Sequence, residues 1–221
     1  MKTVLAPDAA YRLWAPTYEE AGALAALDEL ARTRLDPEPA SPLLDAACGT
    51  GRRLRTAAGG WRREAAGIDA VLEMLRAGGP GGPVAVADLR RLPFGSDSFR
   101  TAWCRLAVGH LGDLAGIYRE LSRVLAPGGH LLVTDFHPEA ARRGMARTFR
   151  SGGAVWEVEH HVHEIAAHRL EAAASGLEME DVLELAVGED VRPFFDTTEA
   201  VGLYERVKGL PVLLALRMRR A

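Results

Sequence analysis

The residues best placed to do chemistry follow a short apolar run at positions 43–47. The segment DAACGTG begins at Asp45, so Gly49 and Gly51 lie where a buried strand should turn. A glycine turn brings the backbone close to a ligand, and the helix start that follows offers unpaired N–H groups. The dinucleotide fingerprint G-x-G-x-x-G needs a third glycine where Leu54 stands. Asp45 would also repel a pyrophosphate but accept hydrogen bonds from a cationic amino-acid head, which disfavours NAD.

Two further carboxylates come at the ends of the next two predicted strands. Asp69 lies eighteen residues after Gly51 and offers two acceptor oxygens, enough for both hydroxyls of an adenosine ribose. Asp88 can accept the adenine amino group while the backbone N–H of Leu89 donates to the ring. Carboxylates at the carboxyl ends of three consecutive parallel strands predict a ligand site, because ligands bind at that edge of such sheets.

Histidines supply candidate bases and polar contacts. His110 comes just after the fourth predicted strand, and His137 comes directly after the fifth. If residues 157–164 are extended, His161 and His163 share one face with two glutamates. Such a face can supply a general base near neutral pH or bind a divalent metal, and a solvent-exposed lid is the third alternative. We take His137 and His161 as candidate bases and predict no metal; for His110, a structural hydrogen bond competes with a ligand contact.

Aromatic and basic side chains flank these motifs. Tyr11 and Tyr18 surround Trp14 in the N-terminal segment, where they can close over a ligand or pack a helix on the sheet edge. Four arginines precede the histidine stretch and can either attract an anionic substrate or form a solvated helix face: Arg142, Arg143, Arg147 and Arg150.

The carboxylates must be positioned by strands that end at one edge. Apolar runs near positions 43–47, 65–68, 84–87, 99–105 and 130–136 predict five strands, and helices are predicted from about positions 52, 71 and 114. Asp113 is the predicted N-cap of the last of these. Helices near 164–174 and 198–208 and strands near 180–187 and 212–218 complete the pattern.

Strands that are apolar throughout and alternate with helices indicate a parallel sheet covered on both faces. The predicted fold is therefore α/β, a doubly wound, mostly parallel, seven-stranded Rossmann-like sheet. We expect one domain over residues 1–221, with an N-terminal helical cap at 1–40 and, at 138–165, a substrate-side insertion that is either irregular or hairpin-like.

Charge and composition exclude several classes of protein. The 221 residues carry a formal net charge of −3, which argues against a nucleic-acid partner. Two cysteines make neither a disulfide framework nor a cysteine-based zinc site. Nothing approaches 18 consecutive apolar residues, so we expect a cytoplasmic protein without a membrane partner. The oligomeric state stays open.

Four segments carry a family resemblance: DAACGTG, GIDAVLEML, VADLRRLPFGSDSFRTAWC and ELSRVLAPGGHLLVTDF. In order and spacing they resemble the class I S-adenosylmethionine-dependent methyltransferases, especially the small-molecule branch with ubiquinone- and biotin-pathway enzymes. The resemblance covers residues 41–136, and YRLWAPTYEE is similar to the tyrosine-containing cap of that branch. It implies S-adenosyl-L-methionine as cofactor, bound by Tyr11, Tyr18, Asp45, Ala47, Gly49, Gly51, Asp69, Ala70, Met74, Asp88, Leu89, Cys104, Arg105 and His110.

The chain departs from the common pattern of that family at its arginines. Arg52 and Arg53 follow the glycines, and Arg105 places a cation near the expected sulfonium. Because like charges repel, we predict that Arg105 turns away or holds a substrate carboxylate, with an exposed arginine that has no role as the alternative.

The predicted activity is methyl transfer from S-adenosylmethionine to an oxygen, nitrogen or carbon atom of a small molecule. One alternative is a non-methylating protein or pericyclase-like enzyme that keeps the cofactor on the same fold. An RNA or protein methyltransferase is disfavoured by the acidic net charge and by WCRL, which stands after residue 102 instead of an Asn-Pro-Pro-Tyr motif.

Overall fold

The computed structural model describes residues 3–19, 22–56, 60–196 and 201–221. Within these residues the strands are β1 (Thr3–Leu5), β2 (Leu43–Ala46), β3 (Ala65–Asp69), β4 (Val84–Val86), β5 (Phe99–Arg105), β6 (Leu125–Phe136), β7 (Thr148–Ser151), β8 (Ala154–Val158), β9 (Leu177–Ala186) and β10 (Pro211–Arg220). The α-helices are α1 (Pro7–Trp14), α2 (Ala23–Leu35), α3 (Leu72–Ala77), α4 (Ala115–Val124), α5 (Pro138–Arg142), α6 (Ile165–Ala174) and α7 (Val201–Val207).

Seven strands form the main sheet in the order β4-β3-β2-β5-β6-β10-β9. All neighbours are parallel except β10, which runs antiparallel to both β6 and β9. The order reverses between β2 and β5, which creates a switch point where the carboxyl ends of adjacent strands diverge. The predicted doubly wound, mostly parallel, seven-stranded sheet is confirmed.

Helices cover both faces of this sheet. One apolar cluster includes Ile117 and Tyr118 from α4 and Ala172 from α6. The opposite cluster includes Leu27 from α2 and Tyr204 from α7. The strands between them are buried on both faces, which explains why β2, β5 and β6 read as nearly continuous apolar runs.

A second, three-stranded sheet has the order β1-β8-β7. The β7–β8 hairpin agrees with the hairpin-like alternative for residues 138–165, and β1 adds to it as a parallel strand. Trp14 of α1 stacks on Phe149 of β7, with ring centroids 4.8 Å apart. The N-terminal segment and the insertion therefore pack together through β-pairing and aromatic contact.

Several predicted elements differ in detail from the structure. The helix predicted from about position 52 is a single 3-10 turn, Arg52–Leu54, because Arg55 is extended and pairs in a bridge with Trp61. The N-cap of α4 is Leu114, one residue after the predicted Asp113, although Asp113 Oδ1 still accepts the N–H of Ala115 at 2.9 Å. The last predicted helix is observed as α7, and its predicted start at 198–200 lies outside the described residues. No helix in the described ranges combines the length and apolar character needed to cross a bilayer.

Candidate cofactor-binding site

A cavity of about 380 Å³ opens at the carboxyl ends of β2, β3 and β5, at the switch point of the main sheet. The N-terminal cap forms part of its wall through Tyr11 and Tyr18. Eleven of the fourteen predicted cofactor residues line it: Tyr11, Tyr18, Ala47, Gly49, Asp69, Ala70, Met74, Asp88, Leu89, Arg105 and His110. The sheet edge thus brings together segments that are far apart in the sequence.

The glycine turn is tied to the end of β3 by one carboxylate. Asp69 accepts the N–H of Gly49 at 2.8 Å with one oxygen and the N–H of Val71 at 2.9 Å with the other. Burial raises the pKa of Asp69, and these two backbone bonds oppose the shift. Gly49 has φ +60°, and a Cβ there would approach Met74 Cε to 3.2 Å. The turn therefore needs glycine for its backbone conformation and for its close packing.

Asp45 lies at the end of β2 beneath this turn and is fully buried. Neither of its carboxylate oxygens has a hydrogen-bond partner among the described residues. Burial raises the pKa of Asp45, against the opposing effect of Arg53 and Arg105. The Asp45 side chain does not line the cavity, although the sequence predicted it as a cofactor-binding residue. Its two oxygens without hydrogen bonds suit an added donor such as an ammonium group.

Asp88 lines the cavity but already has a cationic partner. Arg90 donates to it through its backbone N–H at 2.8 Å and through its guanidinium, with the shortest contact at 2.6 Å. These hydrogen bonds hold the pKa of Asp88 below its usual range. Leu89 beside it is buried in the cavity wall, so an adenine ring would contact a flat apolar surface there.

The cap meets the body of the protein at His110. The Tyr11 hydroxyl lies 2.8 Å from His110 Nε2, and Arg147 Nη1 lies 2.8 Å from the same nitrogen. His110 Nδ1 faces the carbonyl oxygen of Glu159 at 3.2 Å, so it carries the proton and Nε2 accepts. Burial and the adjacent Arg147 lower the pKa of His110 to about 2. The ring is therefore a neutral acceptor that orients Tyr11.

Besides Asp45, two other predicted cofactor residues lie outside the wall, Gly51 and Cys104. Gly51 has φ +71° and packs against the ring of Trp61, where a Cβ would lie 3.1 Å from ring carbons. Cys104 is fully buried in the apolar cluster under α4, since alternation along β5 turns it into the core. Burial raises the pKa of the Cys104 thiol. Gly51 shapes the turn and Cys104 packs the sheet, and neither is among the residues that line the cavity.

Arg105 borders the cavity, but its guanidinium turns towards α2. It donates to Asp28 at 2.8 and 3.2 Å and to Glu29 at 3.0 Å. Asp28 also pairs with Arg53 at 2.9 Å and accepts the Thr134 hydroxyl at 2.6 Å. The prediction that Arg105 turns away is confirmed. The partner was not foreseen, because nothing in the local pattern of α2 marks Asp28 as buried.

The two candidate bases do not line the cavity. His137 caps α5, where its Nδ1 accepts the N–H of Glu139 at 3.1 Å, and its Nε2 pairs with Glu184 at 2.8 Å. His161 is exposed, and its ring stacks beside that of His163. Both ring nitrogens of His137 are thus engaged elsewhere, and His161 is directed to solvent. Among the described residues, no three His, Cys, Asp or Glu side chains are arranged to hold a metal ion.

His160 of the insertion, which the sequence did not single out, has a largely buried side chain. Its Nε2 lies 3.6 Å from the buried carboxylate of Asp135, whose other oxygen lies 3.7 Å from His168. Burial lowers the pKa of His160 to about 4, although Asp135 opposes the shift. Gly109 permits this packing, because a Cβ there would fall 2.0 Å from the His160 ring.

Comparison with known proteins agrees with this geometry. Residues 44–133 match the methyltransferase domain family. A demethylmenaquinone methyltransferase of Corynebacterium kroppenstedtii is 36% identical over 106 residues, which cover 48% of this chain and 46% of that protein. Residues 44–133 are therefore similar to the class I S-adenosylmethionine-dependent methyltransferases. The match thus spans less than half the length of this curated relative.

Solved structures extend the comparison of the fold to most of the chain. An S-adenosylmethionine-dependent methyltransferase from Mesorhizobium loti superposes with a TM-score of 0.66 at 23% identity, covering 88% of this chain and 98% of the other. The 4+2 cyclase SpnF superposes with a TM-score of 0.60 at 22% identity, covering 88% of this chain and 80% of the other. One fold therefore includes both a methyltransferase and a cyclase, so activity must be argued from the site.

Proposed function

We propose that this chain transfers the methyl group of S-adenosylmethionine to a small-molecule acceptor. The observation that carries the proposal is the cavity at the switch point, where the Gly49 turn, Asp69 and Leu89 line one wall. Strand-end carboxylates and a glycine turn in this arrangement suit an adenosine linked to an amino acid better than a pyrophosphate. The curated relatives named as demethylmenaquinone and malonyl-acyl-carrier-protein methyltransferases support a small-molecule or carrier-bound acceptor.

The residues present fit this cofactor. We propose that Asp69 holds the ribose hydroxyls with the lone pairs its backbone bonds leave free, and that Leu89 with Asp88 contacts adenine. Asp45 would take up the ammonium group, which would satisfy its orphaned oxygens. Tyr11 and Tyr18 would close over the cofactor and exclude water from the reacting atoms.

The bound cofactor supplies an electrophilic methyl group on a sulfonium. The contribution of the chain is to hold a nucleophile in line with that group, which replaces much of the entropic cost of a bimolecular encounter. Leu106 and Ala107, directly after β5, form the part of the wall where an acceptor would meet the methyl group. Because His137 and His161 are outside this wall, we propose that positioning, and not either of these bases, drives the reaction.

The test is calorimetric titration with S-adenosylmethionine, S-adenosylhomocysteine and NADH. We expect micromolar binding of the first two ligands and none of NADH. Asp69→Ala should weaken binding at least about tenfold, since hydrogen bonds to a charged group contribute about 1.5–3 kcal/mol. Asp181→Asn is the matched control, because Asp181 is exposed on β9. Unchanged affinity in Asp69→Ala would refute the site.

Activity is then read as S-adenosylhomocysteine formed with a panel of phenol, amine, carboxylate and carbon-acid acceptors. Methylated product with stoichiometric S-adenosylhomocysteine would establish methyl transfer. Conversion of an acceptor with the cofactor left intact would instead establish the non-methylating alternative.

A further inference from the structure

Arg147 is the feature of this region that the methyl-transfer proposal leaves unexplained. It precedes β7, in the insertion, and only 7% of its surface is exposed. Its Nη1 donates to the carbonyl oxygen of Leu106 at 2.7 Å and to His110 Nε2 at 2.8 Å. Leu106 and His110 both line the cavity, so Arg147 contacts two residues of that wall.

The polar partners of Arg147 are uncharged. The Leu106 carbonyl is neutral, and the His110 ring is neutral because its Nδ1 proton faces Glu159. No carboxylate among the described residues stands in salt-bridge distance of Arg147. The buried Asp135 nearby is instead flanked by His160 and His168. Burying a cation without a counter-ion is costly, so this arrangement is incomplete as a purely structural one.

Other arginines of the chain show the contrast. Arg105 is as buried as Arg147 and contacts two carboxylates, Asp28 and Glu29. Arg142 and Arg143, from the same arginine-rich stretch, are exposed and pair with Glu139. Arg147 therefore differs from its sequence neighbours in burial and from Arg105 in lacking a carboxylate among the described residues.

Arg147 and Tyr11 share one neutral acceptor at this point of the wall, and Arg147 also donates to the Tyr11 hydroxyl. A neutral imidazole offers one lone pair at Nε2, and both Arg147 and the Tyr11 hydroxyl approach that atom at 2.8 Å. Burial raises the pKa of Tyr11, which keeps its hydroxyl protonated as a donor. An additional acceptor placed between the two would receive both hydrogen bonds and neutralise the guanidinium.

We propose that Arg147, with Tyr11, anchors an oxyanion of the acceptor substrate, a carboxylate or a phosphate, at the wall formed by Leu106 and His110. This inference rests on the proposed function, because it names the substrate class of the same cavity. A guanidinium suits a planar or tetrahedral oxyanion through paired N–H donors, and these charge-assisted bonds discriminate strongly against a neutral isostere. Arg147 is a specificity-determining residue in this account.

The experiment titrates protein saturated with S-adenosylhomocysteine with hexanoate, hexyl phosphate and the neutral hexanamide. We expect at least one oxyanion to bind about tenfold more tightly than hexanamide, consistent with a charge-assisted pair. Which of the two binds more tightly distinguishes a carboxylate from a phosphate. Arg147→Gln should abolish the preference, whereas Arg143→Gln, the exposed and ion-paired control, should retain it.

Arg147→Lys keeps the charge without the planar fork and should retain part of the preference. If Arg147→Gln fails to fold, the oxyanion preference of Arg147→Lys tests the proposal in its place. Equal binding of oxyanions and hexanamide, loss of the preference in Arg143→Gln, or no oxyanion binding at all would overturn the proposal. If the wild-type protein does not bind S-adenosylhomocysteine, the proposed function fails; if it binds this ligand without oxyanion preference, only the anchor fails.

Discussion

At the scale of single residues, some buried charged side chains around the cavity form ion pairs, and others have no oppositely charged partner among the described residues. Asp28 accepts hydrogen bonds from Arg53, Arg105 and the Thr134 hydroxyl. The bond from Arg105 turns its guanidinium away from the position expected for the sulfonium. Burial opposes ionisation of Asp28, but the two guanidinium groups and the hydroxyl hold its pKa below the usual value. One carboxylate on α2 thus determines the electrostatic character of the end of β5.

Replacing Asp28 should therefore lower the free energy of unfolding more than replacing its neighbour Glu29. Asp28→Asn leaves Arg53 and part of Arg105 without a counter-ion, and breaking such a buried pair costs about 3–5 kcal/mol. Glu29→Gln is the control, since Glu29 is half-exposed and its loss should cost less than about 1 kcal/mol. The free energy of unfolding in urea measures both. Equal effects of the two substitutions would show that Arg105 is held by packing and not by Asp28.

At the scale of elements, the N-terminal cap and the insertion stabilise each other. β1 pairs with β8, and the Glu159 N–H donates to the carbonyl oxygen of Leu5 at 2.8 Å. Trp14 stacks on Phe149 at an interplanar angle of 11°. A strand as short as β1 has no stability of its own, so its order depends on β8 and on these aromatic contacts.

Phe149→Ala should therefore loosen the three-stranded sheet selectively. Truncating a buried phenylalanine to alanine lowers the free energy of unfolding by about 3–5 kcal/mol. Here the lost contacts belong to a small apolar cluster around α1. Hydrogen exchange should accelerate at residues 3–14 and 148–158 while β5 and β6 stay protected. Phe94→Ala is the matched control, because Phe94 packs on Phe99 in the main core. Faster exchange throughout the protein in Phe149→Ala would show that the cap and the main sheet open together.

Some of these strands could be predicted from the sequence and others could not. The runs that became β2, β5 and β6 are buried on both faces, so their composition alone marks them as strands. β1 could not be foreseen, because its partner lies about 150 residues away and its three residues contain no periodicity. Strand ends placed Asp69 and Asp88 correctly at the cavity. The partners of Arg105 and His137 were not predictable, since each turns to a carboxylate on a distant element.

At the scale of the whole molecule, the insertion is joined to the sheet edge by neutral imidazoles. His110 contacts Tyr11 and Arg147, and the His160 ring packs edge-on against those of His110 and Phe136. Burial is the main cause that lowers the pKa of both histidines, to about 2 for His110 and about 4 for His160. In the unfolded chain both rings should titrate near pH 6.5. Folding therefore excludes two protons that the unfolded state binds in mildly acidic solution.

Stability should consequently fall as the pH drops below about 6.5. Each histidine contributes about 1.4 kcal/mol per pH unit, so the two together give a slope of about 2–3 kcal/mol per unit down to pH 4, where His160 begins to protonate in the folded state. Urea unfolding at half-unit steps from pH 7.5 to 4.5 measures this slope. His160→Gln should remove about half of it, whereas His161→Gln, at an exposed ring, should leave it unchanged. A flat profile in the wild-type protein, or an equal loss of slope in both variants, would contradict a neutral imidazole layer beneath the insertion.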